Sequence, residues 1–322
     1  MSGFPNASLL VTPSALAAEL GLGRSESLVP SPESRRARPL LLDLRPAEHF
    51  AAGHVPGAVH LDLWGVSLID TDPAPMRAFM WMIVHMLELR GIDAGRPVVV
   101  YDEQSGLRAA RAFWFLEYFG HPSVRLLDGG YGAWTREGLP VASFAPRAAG
   151  EARGAERGDG APASDAPGGV QGSPPILKEK ADWLSGEPPQ VADRVATWRD
   201  VRDCLGRPGV VLLDTRTDGE YCGTLVRAKR GGAVPGAVHI EWTRNLGPDG
   251  AFKPAAELRA MYEQAGVTPD KEVITYCHGG YRAAHSYLAL RLLGYPRVRN
   301  YIGSWKEWGD REDLPLEKPE RQ

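Results

Sequence analysis

Cysteine is scarce in this chain. Only Cys204, Cys222 and Cys277 occur in 322 residues, and none belongs to a Cys-x-x-Cys pair. So few cysteines cannot build a disulfide framework at this size, and without paired spacing a zinc site is not expected. A reducing, cytoplasmic setting follows as the default. Net charge is also slight, at -3, so there is no basic footprint for nucleic acid or an anionic membrane. Long hydrophobic runs are missing. The most apolar window, Phe79 to Leu89, contains His85 and Glu88 and is too short to span a bilayer. The first residues, Met1-Ser2-Gly3-Phe4-Pro5-Asn6, lack the basic start and apolar run of a signal peptide. What remains is a composition with 43% hydrophobic and 24% charged residues, long enough for two domains with their own cores.

Against that background one stretch stands out. Val273-Ile274-Thr275-Tyr276 leads into Cys277-His278-Gly279-Gly280-Tyr281-Arg282, and helical apolar spacing then runs to Gly294. The pattern predicts strand, tight loop and helix, with the cysteine at the carboxyl end of the strand. Backbone N–H groups of a glycine-bearing loop before a helix form an anion-binding concavity. A cysteine placed there should favour its thiolate. An isolated cysteine is otherwise most simply core, and it is the glycines and the arginine that point to chemistry.

The chain also repeats itself. Leu41-Leu42-Asp43-Leu44-Arg45 is echoed by Leu212-Leu213-Asp214-Thr215-Arg216, and Val55-Pro56-Gly57-Ala58-Val59-His60 recurs unchanged at Val234 to His239. Arg108-Ala109-Ala110 matches Arg282-Ala283-Ala284. Gly294, Pro296, Val298, Arg299, Gly303 and Trp308 match Gly120, Pro122, Val124, Arg125, Gly129 and Trp134 at one constant offset. Two tandem copies of one α/β domain are therefore expected, over 1–144 and 176–322. Strands alternating with helical segments argue a mostly parallel sheet with helices on both faces. Between the copies, 145–175 is rich in Gly, Ala, Pro, Glu and Arg without apolar periodicity, which predicts a flexible linker dispensable for chemistry. Ligands of such sheets bind beyond the carboxyl ends of the strands, where Cys277 falls.

The second copy resembles a rhodanese-type sulfurtransferase domain, and the pair is similar to the tandem-domain thiosulfate and 3-mercaptopyruvate sulfurtransferases. The resemblance rests on Asp214-Thr215-Arg216, the Val234 to Val238 turn, the Cys277 to Arg282 loop and Gly303-Ser304-Trp305-Lys306-Glu307-Trp308, in order and duplicated. It implies that Cys277 takes sulfur from thiosulfate as a persulfide and passes it to cyanide or a thiol in a ping-pong cycle, without a cofactor. The loop residues His278, Gly279, Gly280, Tyr281 and Arg282 would hold the donor, with loop amides stabilising the anion and both glycines allowing their convergence. Arg282 could also brace the loop by bonding carbonyls or Asp214. His278 and Tyr281 are expected at the cleft mouth and His285 in a structural role. Asp214 and Arg216 read as a supporting salt bridge. Arg227, Lys229 and Arg230, in the insertion 223–232, read as a solvated basic loop.

Two departures from the family pattern matter. Asp102 occupies the position of Cys277 in the first copy, in a loop one residue longer. A carboxylate cannot carry a persulfide, so the first copy is expected to be catalytically inactive and to cover the active face of the second. Glu220 stands where mercaptopyruvate-type enzymes carry an arginine, and facing the cleft it would oppose a carboxylate donor. With the loop sequence this favours the bacterial thiosulfate type, with 3-mercaptopyruvate as the alternative and Glu220→Arg as a gain for it. A phosphatase of the related Cys-loop class would need one more residue between cysteine and arginine. A non-enzymatic interaction module would be expected to have lost Cys277.

Overall fold

The computed structural model describes residues 3–22, 38–144 and 191–320. The expected linker, 145–175, lies outside the described residues. The first half runs β1 (Leu10–Val11), α1 (Pro13–Leu20), β2 (Leu40–Asp43), α2 (Ala47–Ala52), β3 (Val59–His60), α3 (Pro73–Glu88), β4 (Val98–Tyr101), α4 (Leu107–Tyr118), β5 (Val124–Leu127) and α5 (Gly130–Arg136). The second half repeats that order as β6 (Val195–Ala196), α6 (Trp198–Asp203), β7 (Val210–Asp214), α7 (Asp218–Tyr221), β8 (Val238–His239), α8 (Ala255–Gln264), β9 (Glu272–Tyr276), α9 (Tyr281–Leu292), β10 (Val298–Tyr301) and α10 (Ser304–Asp310). Matching residues start the matching helices: Thr12 accepts from the Ala15 N–H at α1, and Thr197 forms a capping box with Asp200 at α6.

Each half carries a five-stranded sheet, in the orders β1-β5-β4-β2-β3 and β6-β10-β9-β7-β8. Every pairing within them is parallel. Parallel strands need crossovers, and the helices that supply them cover both faces, so the central strands are apolar on both sides. Leu40, Leu42, Val98 and Val100 enter one core cluster, while Leu41, Val99 and Tyr101 enter another. Val211, Leu213 and Val273 divide in the same way from Leu212, Ile274 and Tyr276.

The clusters do not respect the repeat. The largest takes the inner face of both sheets and joins them through α4 and α9, with Phe113, Trp114 and Phe115 from one helix and Tyr287, Leu288 and Leu290 from the other. The polar contacts of this seam are reciprocal. Arg291 of α9 pairs with Glu117 of α4 at 2.8 Å, and these two residues occupy matching positions of the repeat. Trp114 Nε1 donates to the Arg194 carbonyl at 2.9 Å, and Glu117 also accepts from the Tyr287 hydroxyl. The first half thus packs against the helix that begins beside Cys277. No helix among the described residues is long and apolar enough to cross a membrane.

Candidate active site

Cys277 follows β9 directly and is 1% exposed. Its loop is gripped from β10 and α10: the Trp305 N–H donates to the Cys277 carbonyl and the Lys306 N–H to the His278 carbonyl, both at 2.9 Å. The Cys277 N–H donates to Ser304 Oγ at 3.1 Å, and that hydroxyl donates to the Tyr301 carbonyl. Ser304 has φ 53, a left-handed conformation that non-glycine residues seldom adopt, and it makes the turn on which the loop rests. The sulfur itself accepts from the Gly280 N–H at 3.2 Å.

Only one of the two glycines is needed for its backbone angles. Gly280 has φ 86, and a Cβ there would come within 2.9 Å of the Ile302 carbonyl. Gly279 does not lie in the left-handed region; a Cβ there would meet Ser67 Oγ of the first half at 3.3 Å. Its smallness serves the contact between the halves, so the expectation that both glycines free the backbone is corrected at Gly279.

Burial by itself would raise the Cys277 thiol. The Arg282 charge and the N–H groups of Ala283, Gly279 and Gly280 outweigh it, and the thiol lies below its ordinary value of 9.0. Cys204 differs: burial pushes its thiol up, and its sulfur donates to the Val201 carbonyl.

Arg282 does not bond Asp214. Its guanidinium makes a bidentate pair with Glu220, Nη1 to Oε2 at 2.6 Å and Nη2 to Oε1 at 2.9 Å. Glu220 is 2% exposed and closes a capping box on Thr217. Burial alone would raise its carboxyl, but Arg282 and Thr217 hold it at about 2. The condition on which Glu220 would oppose a donor carboxylate, that it face the cleft free, is not met; it orients Arg282 instead. Arg227 also approaches Glu220, at 3.5 Å, with half its side chain exposed. The insertion is not uniformly solvated, because Arg230 donates to the carbonyls of Trp308, Gly309, Arg311 and Leu314 and ties down the C-terminal segment.

Asp214 is held by Arg216 at 2.5 Å, both fully buried, and Arg216 Nη2 also donates to the Gly232 carbonyl. Asp43 and Arg45 repeat this pair at 2.7 Å, with the Gly53 carbonyl in the matching role. A pair present in both halves, only one of which has the cysteine, is framework. His285 is buried at the seam, with Nε2 at 2.8 Å from the Ser105 carbonyl of the first half. Burial lowers it to about 4, so the ring is neutral and Nε2–H donates.

His278 is half-buried and lowered to about 4, first by burial and then by Arg227. Tyr281 does not stand free at a rim: its hydroxyl donates to the Leu63 and Val66 carbonyls of the first half, at 2.7 and 3.1 Å. Its ring also carries Arg111, whose guanidinium carbon lies 3.6 Å from the ring centroid and whose Nη1 donates to the Gly279 carbonyl at 3.2 Å. Arg111 was not singled out in the sequence, since a lone arginine in an apolar helix carries no local motif. The available signal was the charge itself, in the run Ala109-Ala110-Arg111-Ala112-Phe113 of a buried helix.

In the first half, Asp102 fills the place of the cysteine. Its carboxylate accepts from the Glu103 N–H at 2.7 Å and the Arg108 N–H at 3.0 Å. Burial outweighs these bonds and raises its carboxyl above the ordinary value.

The Rhodanese-like domain family matches twice, over residues 32–137 and 197–311. The chain is 34% identical to the thiosulfate sulfurtransferase of Pseudomonas aeruginosa over 98% of its own length and 100% of that protein. It is also 34% identical to the sulfur carrier protein TtuD of Thermus thermophilus, covering 84% of this chain and 87% of the relative. Among solved structures, wild-type EanB superposes with a TM-score of 0.72 at 20% identity, over 99% of this chain and 71% of EanB, a likeness of fold. With two matched domains and relatives similar along most of its length, the chain belongs to the rhodanese family of sulfurtransferases.

Proposed function

We propose that the protein is a thiosulfate sulfurtransferase in which Cys277 carries the sulfur. The Cys277 thiolate attacks the outer sulfur of thiosulfate; the S–S bond of the donor breaks and its electron pair leaves with sulfite. The cysteine is left as a persulfide anion, so charge is conserved without an added proton. A thiolate or cyanide then attacks the terminal sulfur and restores the Cys277 thiolate. The observation that carries this reading is a buried sulfur that accepts from the Gly280 N–H at 3.2 Å and is lowered by Arg282, by the loop N–H groups of Gly279 and Gly280 and by the Ala283 N–H of α9, donors fixed before the anion arrives. Asp102 has no sulfur to offer, so the first domain is read as inactive in transfer, with its seam covering the loop.

Thiosulfate is favoured over 3-mercaptopyruvate as donor for two reasons. Relatives similar over most of the chain bear the name thiosulfate sulfurtransferase. Both oxygens of Glu220 occupy the terminal nitrogens of Arg282, so the loop offers no open bidentate clamp for a donor carboxylate. Single-turnover persulfide formation, followed by mass spectrometry with each donor, tests this. Faster loading of Cys277 from thiosulfate is expected; faster loading from 3-mercaptopyruvate under matched conditions overturns the donor assignment. The acceptor is read as a small thiol or cyanide, and the setting as cytoplasmic, where thiols stay reduced.

A further inference from the structure

Arg111 sits on α4 of the first domain, 1% exposed, and points into the loop of the second. Its Nη1 is satisfied by the Gly279 carbonyl, and its plane lies on Tyr281. Nε and Nη2 have no hydrogen-bond partner among the described residues, and no carboxylate there pairs with it. A buried charge left without a counter-charge costs several kcal/mol, so such a group calls for an explanation.

The surroundings narrow that explanation. Arg216 is answered by Asp214, and Arg282 by Glu220, which Arg227 also approaches. His278 is neutral, and the Tyr281 hydroxyl donates to two carbonyls. Among the described residues, the groups whose charge would bear on Arg111 are Tyr281, whose hydroxyl is engaged with those carbonyls, and Cys277, two residues from the Gly279 carbonyl that Arg111 holds. Burial lowers Arg111 to about 10, which leaves it charged at neutral pH.

The repeat supplies an internal control. Arg111 and His285 occupy matching positions on α4 and α9, and each reaches the loop carbonyl of the opposite domain: Arg111 to Gly279, His285 to Ser105. Packing and one hydrogen bond are served by a neutral ring on the Asp102 side. On the Cys277 side the same place holds a permanent cation.

Resting on the reading of Cys277 as sulfur carrier, we infer that Arg111 is a positioning residue donated across the domain seam: it fixes the Gly279 carbonyl and supplies the buried cation that keeps the Cys277 sulfur anionic, as thiolate before transfer and as persulfide after it. The nucleophile of one domain is thereby tuned by the other, and intact docking of the two becomes a condition of reactivity.

The test uses the full chain and reads the thiolate directly. Ultraviolet thiolate absorbance of Cys277 is titrated against pH with the Cys277→Ser protein as blank, in Arg111→Lys, Arg111→His and Arg111→Met. The expected result is a midpoint raised by about one pH unit in the Met and His variants, as for loss of an opposite charge nearby, and by less in Lys. Thiosulfate kcat/KM at neutral pH should fall about tenfold in the same two variants and recover as the pH is raised. An unshifted midpoint in folded Arg111→Met overturns the inference. Should that variant not fold, Arg111→His decides, because the opposite helix tolerates histidine at the matching place. The titration needs no sulfur donor, so its failure is distinct from failure of wild-type protein to take sulfur from thiosulfate.

Discussion

The Asp102 and Cys277 loops are built on one backbone plan and hold their central groups in opposite electrostatic states. The Tyr131 and Gly132 N–H groups grip the first loop at the Asp102 and Glu103 carbonyls, as Trp305 and Lys306 grip the second at Cys277 and His278. His60 and His239 each contact the carbonyl of the framework arginine, Arg45 or Arg216, at 2.9 and 2.8 Å. Yet burial raises the Asp102 carboxyl, while the Cys277 thiol is lowered despite burial. The difference lies in the balance. Arg108, drawn to Asp62 at 2.7 Å, lowers the Asp102 carboxyl too little to offset burial, whereas its counterpart Arg282, held by Glu220, and the loop N–H groups outweigh burial at the sulfur. A shared cradle therefore does not make a shared site; the buried cations around it do.

The most severe way to break this comparison is to exchange the central groups. Cys277→Ser should lower sulfur transfer by at least about 1000-fold, because no other group forms the covalent intermediate. Asp102→Ala should stay within about threefold of wild type. Mass spectrometry after thiosulfate should find one added sulfur on the Cys277 peptide, and finding it on Cys204 or Cys222 instead would refute the assignment.

Next come the framework pairs. Arg216→Met and Arg45→Met each strand a buried aspartate, and each should cost about 3–5 kcal/mol in urea unfolding. Similar losses in both halves would support a scaffolding role. A kinetic defect in Arg216→Met without a stability loss would argue that the second pair touches the chemistry.

Glu220 sharpens the comparison on the acid side. Its folded value, about 2, lies below the ordinary 4.5, so its contribution is complete above pH 4.5 and is lost as the pH falls toward 2. Glu220→Gln should flatten the pH dependence of stability across that window; an unchanged slope would count against the Arg282 pair. Glu220→Arg, which the sequence suggested as a gain for mercaptopyruvate, should instead slow both donors, since it sets a third arginine beside Arg282 and Arg227.

A pH effect of similar size, at milder acidity, belongs to His285. Its folded value, about 4, is below the ordinary 6.5, so stability is full above pH 6.5 and declines as the pH drops toward 4. His285→Gln should reduce that decline while keeping a donor for the Ser105 carbonyl, leaving the share of His278, which is lowered to the same value. An undiminished decline in the variant would assign it to His278 and not to the seam.

Much of this molecule was legible from residue order. The repeat, the parallel strands and the strand-loop-helix around Cys277 follow from β-branched runs, Gly and Pro punctuation and helical spacing, which act over a few residues. The pairing of Asp214 with Arg216 was legible because the two lie two residues apart at a strand end. Partners far apart in the chain were not. Arg282 finds Glu220 rather than Asp214, and Tyr281 turns to Leu63 and Val66, because the fold decides which surfaces meet.

The amino-acid sequence by itself therefore determined the two α/β units, the strand-loop-helix around Cys277 and the contrast between Cys277 and Asp102, all set by local propensity and by the identity of single side chains. Only the tertiary structure decided that Arg282 is held by Glu220 beside the sulfur and that Arg111, from the other domain, bonds the Gly279 carbonyl of the same loop. Charge interactions depend on distance and burial, and between residues as far apart in sequence as Arg111 and Gly279 both are created by the packing of α4 against α9.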